Sequence, residues 1–131
     1  MKSKTVIFDS SIWISYLFAD DIHNLKAVEL VRFFSREEYT ILAPDIVFYE
    51  VISVSIREGR YELAKYFMKL NFVIVTLRNE EFLNFIFKYK LYFKTKTLDS
   101  LIIIHCLKYI VDCFETFDNK QKYIYDLISN L

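Results

Sequence analysis

Short β-forming runs alternate with helical segments along this chain of 131 residues. Runs rich in β-branched and aromatic residues occur at positions 5–8, 40–42, 72–76 and 113–116, and apolar residues at helical spacing follow the first three. Strands that alternate with helices are joined by right-handed crossovers into a parallel sheet with helices on both faces. We therefore expect an α/β three-layer sandwich around a central, mostly parallel four- to five-stranded sheet.

Apolar residues at intervals of three and four indicate where the helices lie. Helices are predicted at 12–18, 24–34, 45–58, 60–70, 80–93 and 97–107, and the tail from position 119 is helical or mixed. Asp9 begins a capping cluster before the first helix, Pro44 suits the first position of the third, and Asn79 caps the fifth. No repeat or linker interrupts the chain, so residues 1–131 are predicted to form a single domain.

Composition excludes several function classes. An apolar share of 54% is enough for a core without disulfide or metal cross-links. Seventeen basic and seventeen acidic residues argue against a generally basic nucleic-acid coat, but not against an enzyme with one local basic patch. Gly59 is the sole glycine, which excludes glycine-rich phosphate loops. Neither His23 nor His105 stands in a nucleophile loop, and a core or surface role is favoured over metal ligation for both.

The aromatic content leaves two interpretations open. Thirteen Phe, ten Tyr and one Trp are many for so short a chain. Some of these side chains could form an exposed interface with a partner, since exposed aromatic patches are typical of interfaces. An aromatic-rich core explains the same numbers equally well.

Targeting and cysteine signals point to the cytoplasm. Asp9 interrupts the first apolar run, so the N-terminus does not resemble a secretory signal. Apolar runs such as 101–107 are far shorter than the roughly 20 residues that span a bilayer. Cys106 and Cys113 form neither a disulfide framework nor a metal motif, and reduced thiols are usual in the cytosol. We expect a cytoplasmic protein with no membrane segment.

Four acidic residues fall near the predicted strand ends. Asp9 directly follows the first strand, Asp118 lies just beyond the fourth, and Asp99 lies in the first turn of the helix that begins at Thr97. Glu50 lies roughly 9 Å along the helix after the second strand, from where a glutamate can reach back. Carboxyl ends of parallel strands share one edge with helix N-termini, and ligands bind at that edge. We expect the four carboxylates to converge there.

Converging carboxylates are unfavourable unless a cation is bound. Two carboxylates about 4 Å apart repel by about 4 kcal/mol at an effective dielectric constant near 20. A cluster of oxygen ligands suits Mg²⁺ or Mn²⁺ better than Zn²⁺. Hard cations held by carboxylates with open water positions are used for phosphodiester hydrolysis. The sequence therefore indicates a Mg²⁺ or Mn²⁺ site of that kind.

Each acid also has a structural interpretation. Asp9 could be a helix cap, Asp118 a turn residue, and Asp99 a first-turn acid that complements the helix dipole. The helix after Asp99 is apolar on every side at 101–104, however, and a carboxylate on a buried helix usually has a specific role. Glu50 is the weakest candidate, because polar residues three and seven positions later place its face towards solvent.

Four short motifs, in this order, resemble those of the PIN-domain nucleases, in particular the VapC-type ribonuclease toxins. The motifs are F-D-S-S-I-W at 8–13, A-P-D-I-V-F-Y-E-V at 43–51, L-D-S-L-I at 98–102 and T-F-D at 116–118. The resemblance covers nearly the whole chain. The glycine that often precedes the third motif is missing, and the short tail after Asp118 leaves the last strand of the family in doubt.

The resemblance implies a PIN-like fold and a metal-dependent endoribonuclease that uses Mg²⁺ or Mn²⁺. The residues implied to be catalytic and to bind the metal are Asp9, Glu50, Asp99 and Asp118, and those implied to support them through hydroxyl hydrogen bonds are Ser10 and Thr116. The resemblance further implies an RNA substrate, a homodimer and often a cognate antitoxin protein. We expect the helices predicted at 45–57 and 80–93 to supply the dimer contact and the antitoxin groove, because they carry more apolar surface than one core face needs.

A basic and aromatic stretch leads into Asp99. Its lysines are Lys88, Lys90, Lys94 and Lys96, aromatic residues stand between them, and Lys120 follows Asp118. Lysines for phosphates and aromatic rings for bases would suit single-stranded RNA. A solvated helix face with its aromatic residues in the core is an equally good interpretation.

Two other functions were weighed. A catalytically inactive PIN-fold protein–protein interaction module would have the same fold and an unused metal site. A phosphoacceptor receiver domain would need an aspartate at the end of the third strand, where this chain has Thr76 and Leu77, and it is set aside.

Overall fold

The computed structural model describes residues 3–131 as strands and helices in alternation. The elements, in chain order, are β1 (Thr5–Phe8), α1 (Ser10–Leu17), α2 (Asn24–Arg36), β2 (Thr40–Pro44), α3 (Asp45–Arg57), α4 (Tyr61–Met68), β3 (Val73–Val75), α5 (Asn79–Lys88), α6 (Thr97–Lys108), β4 (Cys113–Glu115) and α7 (Asn119–Ser129). All four predicted strands are present, each within a residue or two of its expected bounds.

The strands form one sheet in the order β3-β2-β1-β4, and every pair is parallel. Val6 lies between Ile41 of β2 and Cys113 of β4, so β1 is central. The predicted α/β class is confirmed, with four strands in the described residues. Central parallel strands are buried on both faces, which explains why β1 and β2 are almost continuously apolar.

An aromatic cluster fills one side of the sheet. Trp13 of α1 is buried, with its ring centroid 5.2 Å from those of both Phe8 and Phe67 and 5.8 Å from that of Phe72. Such aromatic pairs stabilise a fold by about 0.5–1.5 kcal/mol each beyond their area burial. Part of the high aromatic content is therefore core, while residues such as Tyr49 remain exposed.

Helix α6 is buried on nearly all sides, as its apolar sequence predicts. Five consecutive residues, Ile102 to Cys106, are buried. The first turn of α6 carries Asp99. Because α6 is held in the core, it fixes the position of Asp99 at the carboxyl edge of the sheet.

Helix α5 is shorter than predicted. It ends at Lys88 instead of position 93, and its cap is Arg78, whose backbone N–H donates to the Glu81 carboxylate at 2.9 Å, instead of Asn79. The three aromatic residues that continue the helical spacing turn back against the core in a non-helical segment; they are Tyr89, Tyr92 and Phe93. The packing of these side chains against the core outweighs the helical pattern of the local sequence.

The chain ends in a helix, and the described residues contain no fifth strand. The Asp118 side chain accepts a hydrogen bond from the Gln121 backbone N–H at 3.0 Å and so caps α7. Ile124, Tyr125 and Ile128 are buried at helical spacing, which anchors α7 beside β4. Over residues 3–131 none of the helices has the length and apolar character needed to cross a bilayer.

Candidate functional site

Asp9 stands between β1 and α1 and is held by a dense set of donors. Its Oδ1 accepts from the backbone N–H groups of Ser11 at 3.0 Å and Ile12 at 3.3 Å, and from the Ser11 hydroxyl. Its Oδ2 accepts from the Thr116 hydroxyl. Asp9 is 6% exposed, and burial raises the pKa of its carboxyl group although all four hydrogen bonds oppose that rise. Burial therefore disfavours the charged form of the Asp9 carboxyl group.

Thr116 and Gln121 connect Asp9 to the end of β4 and the start of α7. The Thr116 hydroxyl lies 3.1 Å from Gln121 Oε1 and accepts from the Asp118 backbone N–H at 3.0 Å. Gln121 Nε2 lies 3.5 Å from the Asp99 carbonyl oxygen. One buried network therefore joins the segments that carry Asp9, Asp99 and Asp118.

Burial and four charged neighbours act on the carboxyl group of Asp99. Burial is the main cause that raises the pKa of its carboxyl group, and the negative charges of Asp118 and Glu50 raise it further. Lys96 and Lys120 oppose this rise. Asp118, which caps α7, and Glu50 of α3 therefore both lie close enough to Asp99 to act on its carboxyl group.

Glu50 turns inward from α3 towards α1. It is half-buried, and its Oε1 accepts from the Ser10 hydroxyl at 2.9 Å. The sequence left both orientations of Glu50 open, one that reaches back to the sheet edge and one on a solvent-facing stripe with polar neighbours. Ser10, predicted as a supporting residue, fixes the orientation of this carboxylate.

The acids provide the right donor atoms for a hard cation without forming a closed cage. No three His, Cys, Asp or Glu side chains within residues 3–131 are close enough together to hold a metal ion as they stand. The donors are all carboxylate oxygens, which fit Mg²⁺ or Mn²⁺. Asp118 is exposed, with its Oδ1 accepting from the Gln121 backbone N–H, and Asp99 is half-buried.

The fold agrees with a family comparison. The sequence profile of the PIN domain matches residues 6–127. The chain belongs to the PIN domain family. No curated protein matches the chain.

Two solved structures share the fold of this PIN domain. The crystal structure of Mycobacterium tuberculosis VapC20, a toxin that cleaves the sarcin–ricin loop, superposes with a TM-score of 0.71 over 90% of this chain and 93% of its own, at 12% identity. A toxin–antitoxin complex from Klebsiella pneumoniae superposes with a TM-score of 0.57 over 82% of each chain, at 17% identity. This PIN domain therefore resembles the VapC toxin ribonucleases in fold.

Only part of the predicted basic stretch lies at the acid rim of the PIN domain. Lys96 and Lys120 line a hollow of about 160 Å³ together with Asp99 and Asp118. Lys88, Lys90 and Lys94 are exposed on α5 and the segment after it. The aromatic residues between them pack against the core, as the structural interpretation of this stretch predicts.

Two larger hollows lie away from the acids. One of about 500 Å³ lies between Ser35 and Phe72, and one of about 560 Å³ lies between Tyr16 and Arg36. We place the functional site at the smaller hollow, because it alone of these three is lined by two of the predicted acids, Asp99 and Asp118.

The sequence interpretation missed two residues of the site, Ser11 and Gln121. Ser11 supports Asp9, and its hydroxyl also accepts from the Phe117 backbone N–H at 3.3 Å. Gln121 is 1% exposed and lies three positions after the cap residue Asp118. That spacing is typical of a capping box, and it was the one available signal for Gln121.

Proposed function

We propose that this PIN domain is a metal-dependent endoribonuclease that hydrolyses RNA phosphodiester bonds in the cytoplasm, as the toxin of a VapBC-type toxin–antitoxin pair. The observation that carries the proposal is the hollow that Asp99 and Asp118 line together with Lys96 and Lys120. Two carboxylates brought to one hollow are unfavourable without a compensating cation. Membership of the PIN family and the fold shared with VapC20 support the same conclusion.

Mg²⁺ or Mn²⁺ is the proposed cofactor, and Asp9, Glu50, Asp99 and Asp118 are the residues that would hold it. Such an ion supplies the Lewis acid of phosphodiester hydrolysis. Asp9 is the fixed member of the set, because two backbone N–H groups and two hydroxyls orient it. Asp118 is the exposed member, at the start of α7.

Thr116 is the residue that could release Asp9 for the ion. Its hydroxyl has one proton and two acceptors within reach, Asp9 Oδ2 and Gln121 Oε1. When the Thr116 hydroxyl donates its proton to Gln121 Oε1 instead, a lone pair of Asp9 Oδ2 becomes free to bind the ion. Ser10 keeps the Glu50 carboxylate turned inward at the same time.

Lys96 and Lys120 are the proposed phosphate contacts. Both line the hollow with Asp99 and Asp118, and their charges already act on Asp99. A lysine on either side of the acids would hold the RNA backbone over them. Lys88, Lys90 and Lys94 are exposed in the segment that leads to Lys96, and they would contact the RNA further from the acids.

Cleavage of single-stranded RNA tests the proposal. We expect the wild type to cut RNA with Mn²⁺, and Asp99→Asn to lose at least about 100-fold in rate, as removal of one electrostatic group in an active site commonly does. Glu62→Gln is the matched control, because Glu62 is an exposed first-turn acid of α4. Equal rates for the wild type and Asp99→Asn would overturn the proposal.

One observation favours the alternative, an inactive PIN-fold interaction module. No ready-made cage of three ligands exists among residues 3–131. In this case the acids would serve only as caps and hydrogen-bond acceptors. A wild type that neither cuts RNA nor responds to Mn²⁺ would support this alternative.

An antitoxin protein and a second copy of the chain are the proposed protein partners. The Klebsiella pneumoniae structure with the same fold is a toxin–antitoxin complex. Helices α3 and α5 carry exposed apolar side chains, namely Tyr49, Ile56, Leu83 and Phe87. A groove of about 410 Å³ beside Glu50 is lined by Ile46, Tyr49, Val54 and Leu98 among others. Exposed apolar patches of this kind are typical of protein interfaces.

A further inference from the structure

A second group of aromatic and basic side chains borders the acid rim. His23 lies just before α2, and its ring centroid is 4.9 Å from that of Phe117, with the ring planes 34° apart. The Lys26 ammonium lies 5.9 Å from the same Phe117 ring. His23 and Lys26 are exposed, while Phe117 is half-buried against the core. His23, Lys26 and Phe117 thus form one small surface, called the platform below, although His23 and Phe117 are 94 positions apart in the chain.

The platform is tied directly to the acids. Phe117 stands between Thr116 and Asp118, and its backbone N–H donates to the Ser11 hydroxyl, which in turn donates to Asp9. Any group that stacks on this platform therefore lies next to the carboxylates. Burial raises the pKa of the Glu115 carboxyl group, and the charges of Lys122 and Lys26 oppose this rise.

We propose that His23, Lys26 and Phe117 form a nucleotide subsite that takes one base and one phosphate of single-stranded RNA beside the scissile bond. The proposal rests on the proposed function, since it assumes RNA at the acid rim. The exposed imidazole, held on the Phe117 ring, provides a stacking surface for an unstacked base. Lys26 provides a positive charge for the phosphate of the same nucleotide.

A protein-binding surface is the competing explanation. Ile22 is 90% exposed and Leu25 is 79% exposed, and both lie beside His23 in the chain. RNA is favoured because the charged and aromatic side chains of the platform, and not Ile22 and Leu25, border the acid site. The two explanations differ in what they predict for RNA affinity.

Binding of a fluorescent, unstructured single-stranded RNA to the metal-free protein tests the subsite, followed by anisotropy at several salt concentrations. We expect His23→Ala to weaken binding roughly tenfold, which corresponds to one lost base stack, and His23→Phe to bind like the wild type. We expect Lys26→Ala to weaken binding and to reduce the slope of log affinity against log salt by about 0.7, one phosphate contact to a single strand. Tyr61→Ala and Lys69→Ala, exposed on and after α4, are the matched controls.

Unchanged RNA affinity in both His23→Ala and Lys26→Ala overturns the subsite and favours a protein-binding surface. The proposed function is judged separately, because it requires that Asp99→Asn stops cleavage. A wild type that binds RNA through His23 but never cleaves it retains the subsite and refutes the nuclease. Thermal unfolding of each variant confirms that the exposed substitutions leave the fold intact.

Discussion

Gln121 is the residue through which the acid-bearing segments are joined. Its side chain lies 3.1 Å from the Thr116 hydroxyl and 3.5 Å from the Asp99 carbonyl oxygen, while its backbone N–H donates to Asp118. Glutamine is usually exposed, so composition gives no reason to place one in a core. Its role depends on contacts between β4, α6 and α7, which local sequence does not encode.

Replacement of Gln121 by methionine keeps the volume and removes the side-chain hydrogen bonds. We expect Gln121→Met to lower the free energy of unfolding by about 1–3 kcal/mol, because the Thr116 hydroxyl loses a buried partner. Urea unfolding measures the change. Tyr123→Met, on the exposed face of the same helix, should stay within about 0.5 kcal/mol of the wild type. A Gln121→Met protein as stable as the control would show that the network contributes nothing.

His105 makes stability depend on pH. It is 2% exposed, its Nδ1–H donates to the Leu101 carbonyl at 2.7 Å, and its Nε2 has no hydrogen-bond partner among residues 3–131. Burial lowers the pKa of the imidazole below its ordinary 6.5, although Asp45, 3.9 Å from Nε2, acts in the opposite direction. As the pH falls through 6.5, the unfolded chain therefore binds a proton at this histidine before the folded protein does.

Stability should consequently fall as the pH drops from about 7.5 to about 5.5, and His105→Gln should lose less over that range than the wild type. The free energy of unfolding, measured in urea at both pH values, gives the comparison. His23→Gln is the control, because His23 is exposed and should follow the wild type. Identical pH dependence in all three proteins would contradict this account of His105.

At the scale of elements, α5 is attached mainly by charge. None of its ten residues is fully buried. Glu81 accepts from the Lys108 ammonium of α6 at 2.8 Å, and this hydrogen bond lowers the pKa of Glu81 to about 2. The predicted extension of this helix to position 93 was wrong, because Tyr89, Tyr92 and Phe93 pack against the core instead of continuing the helix. We expect α5 to be the least protected helix near the site.

Glu81→Gln should speed hydrogen exchange of the α5 amides, because the ion pair to Lys108 is lost. The pKa of Glu81 is lowered in the folded state, so its contribution is present above pH 4.5 and is lost as the pH falls towards 2. Exchange followed by mass spectrometry at neutral pH tests this. Glu80→Gln removes only an exposed pair with Arg78 and should leave exchange close to that of the wild type. Unchanged protection in Glu81→Gln would refute the role of the ion pair.

At the scale of the whole molecule, the sequence predicted the alternation of elements better than the contacts between them. Asp9 could be placed because it directly follows a short β-rich run, and Asp99 because a wholly apolar helix follows it. Glu50 could not be placed with the same certainty, because its orientation depends on the Ser10 hydroxyl, 40 positions away. The fourfold convergence of acids remains a prediction, since Asp99 and Asp118 line one hollow while Glu50 borders another.

The exposed apolar residues of α3 predict an oligomer. Tyr49 is 62% exposed beside the groove at Glu50. We expect sedimentation to show a dimer of the wild type and a monomer of Tyr49→Glu, because a buried charge at an apolar interface is costly. Tyr123→Glu, on α7, should remain dimeric. A wild type that sediments as a monomer at all concentrations would contradict this prediction.

Thermal unfolding with increasing Mn²⁺ tests the metal site most directly. Bound metal stabilises only the folded state, so the Tm of the wild type should rise with Mn²⁺. Asp99→Asn should start at an equal or higher Tm without metal, because it relieves repulsion from Asp118 and Glu50, and should then show no rise. Glu62→Gln should follow the wild type. A wild-type Tm that is insensitive to Mn²⁺, or an equal rise in Asp99→Asn, would contradict the proposed carboxylate site.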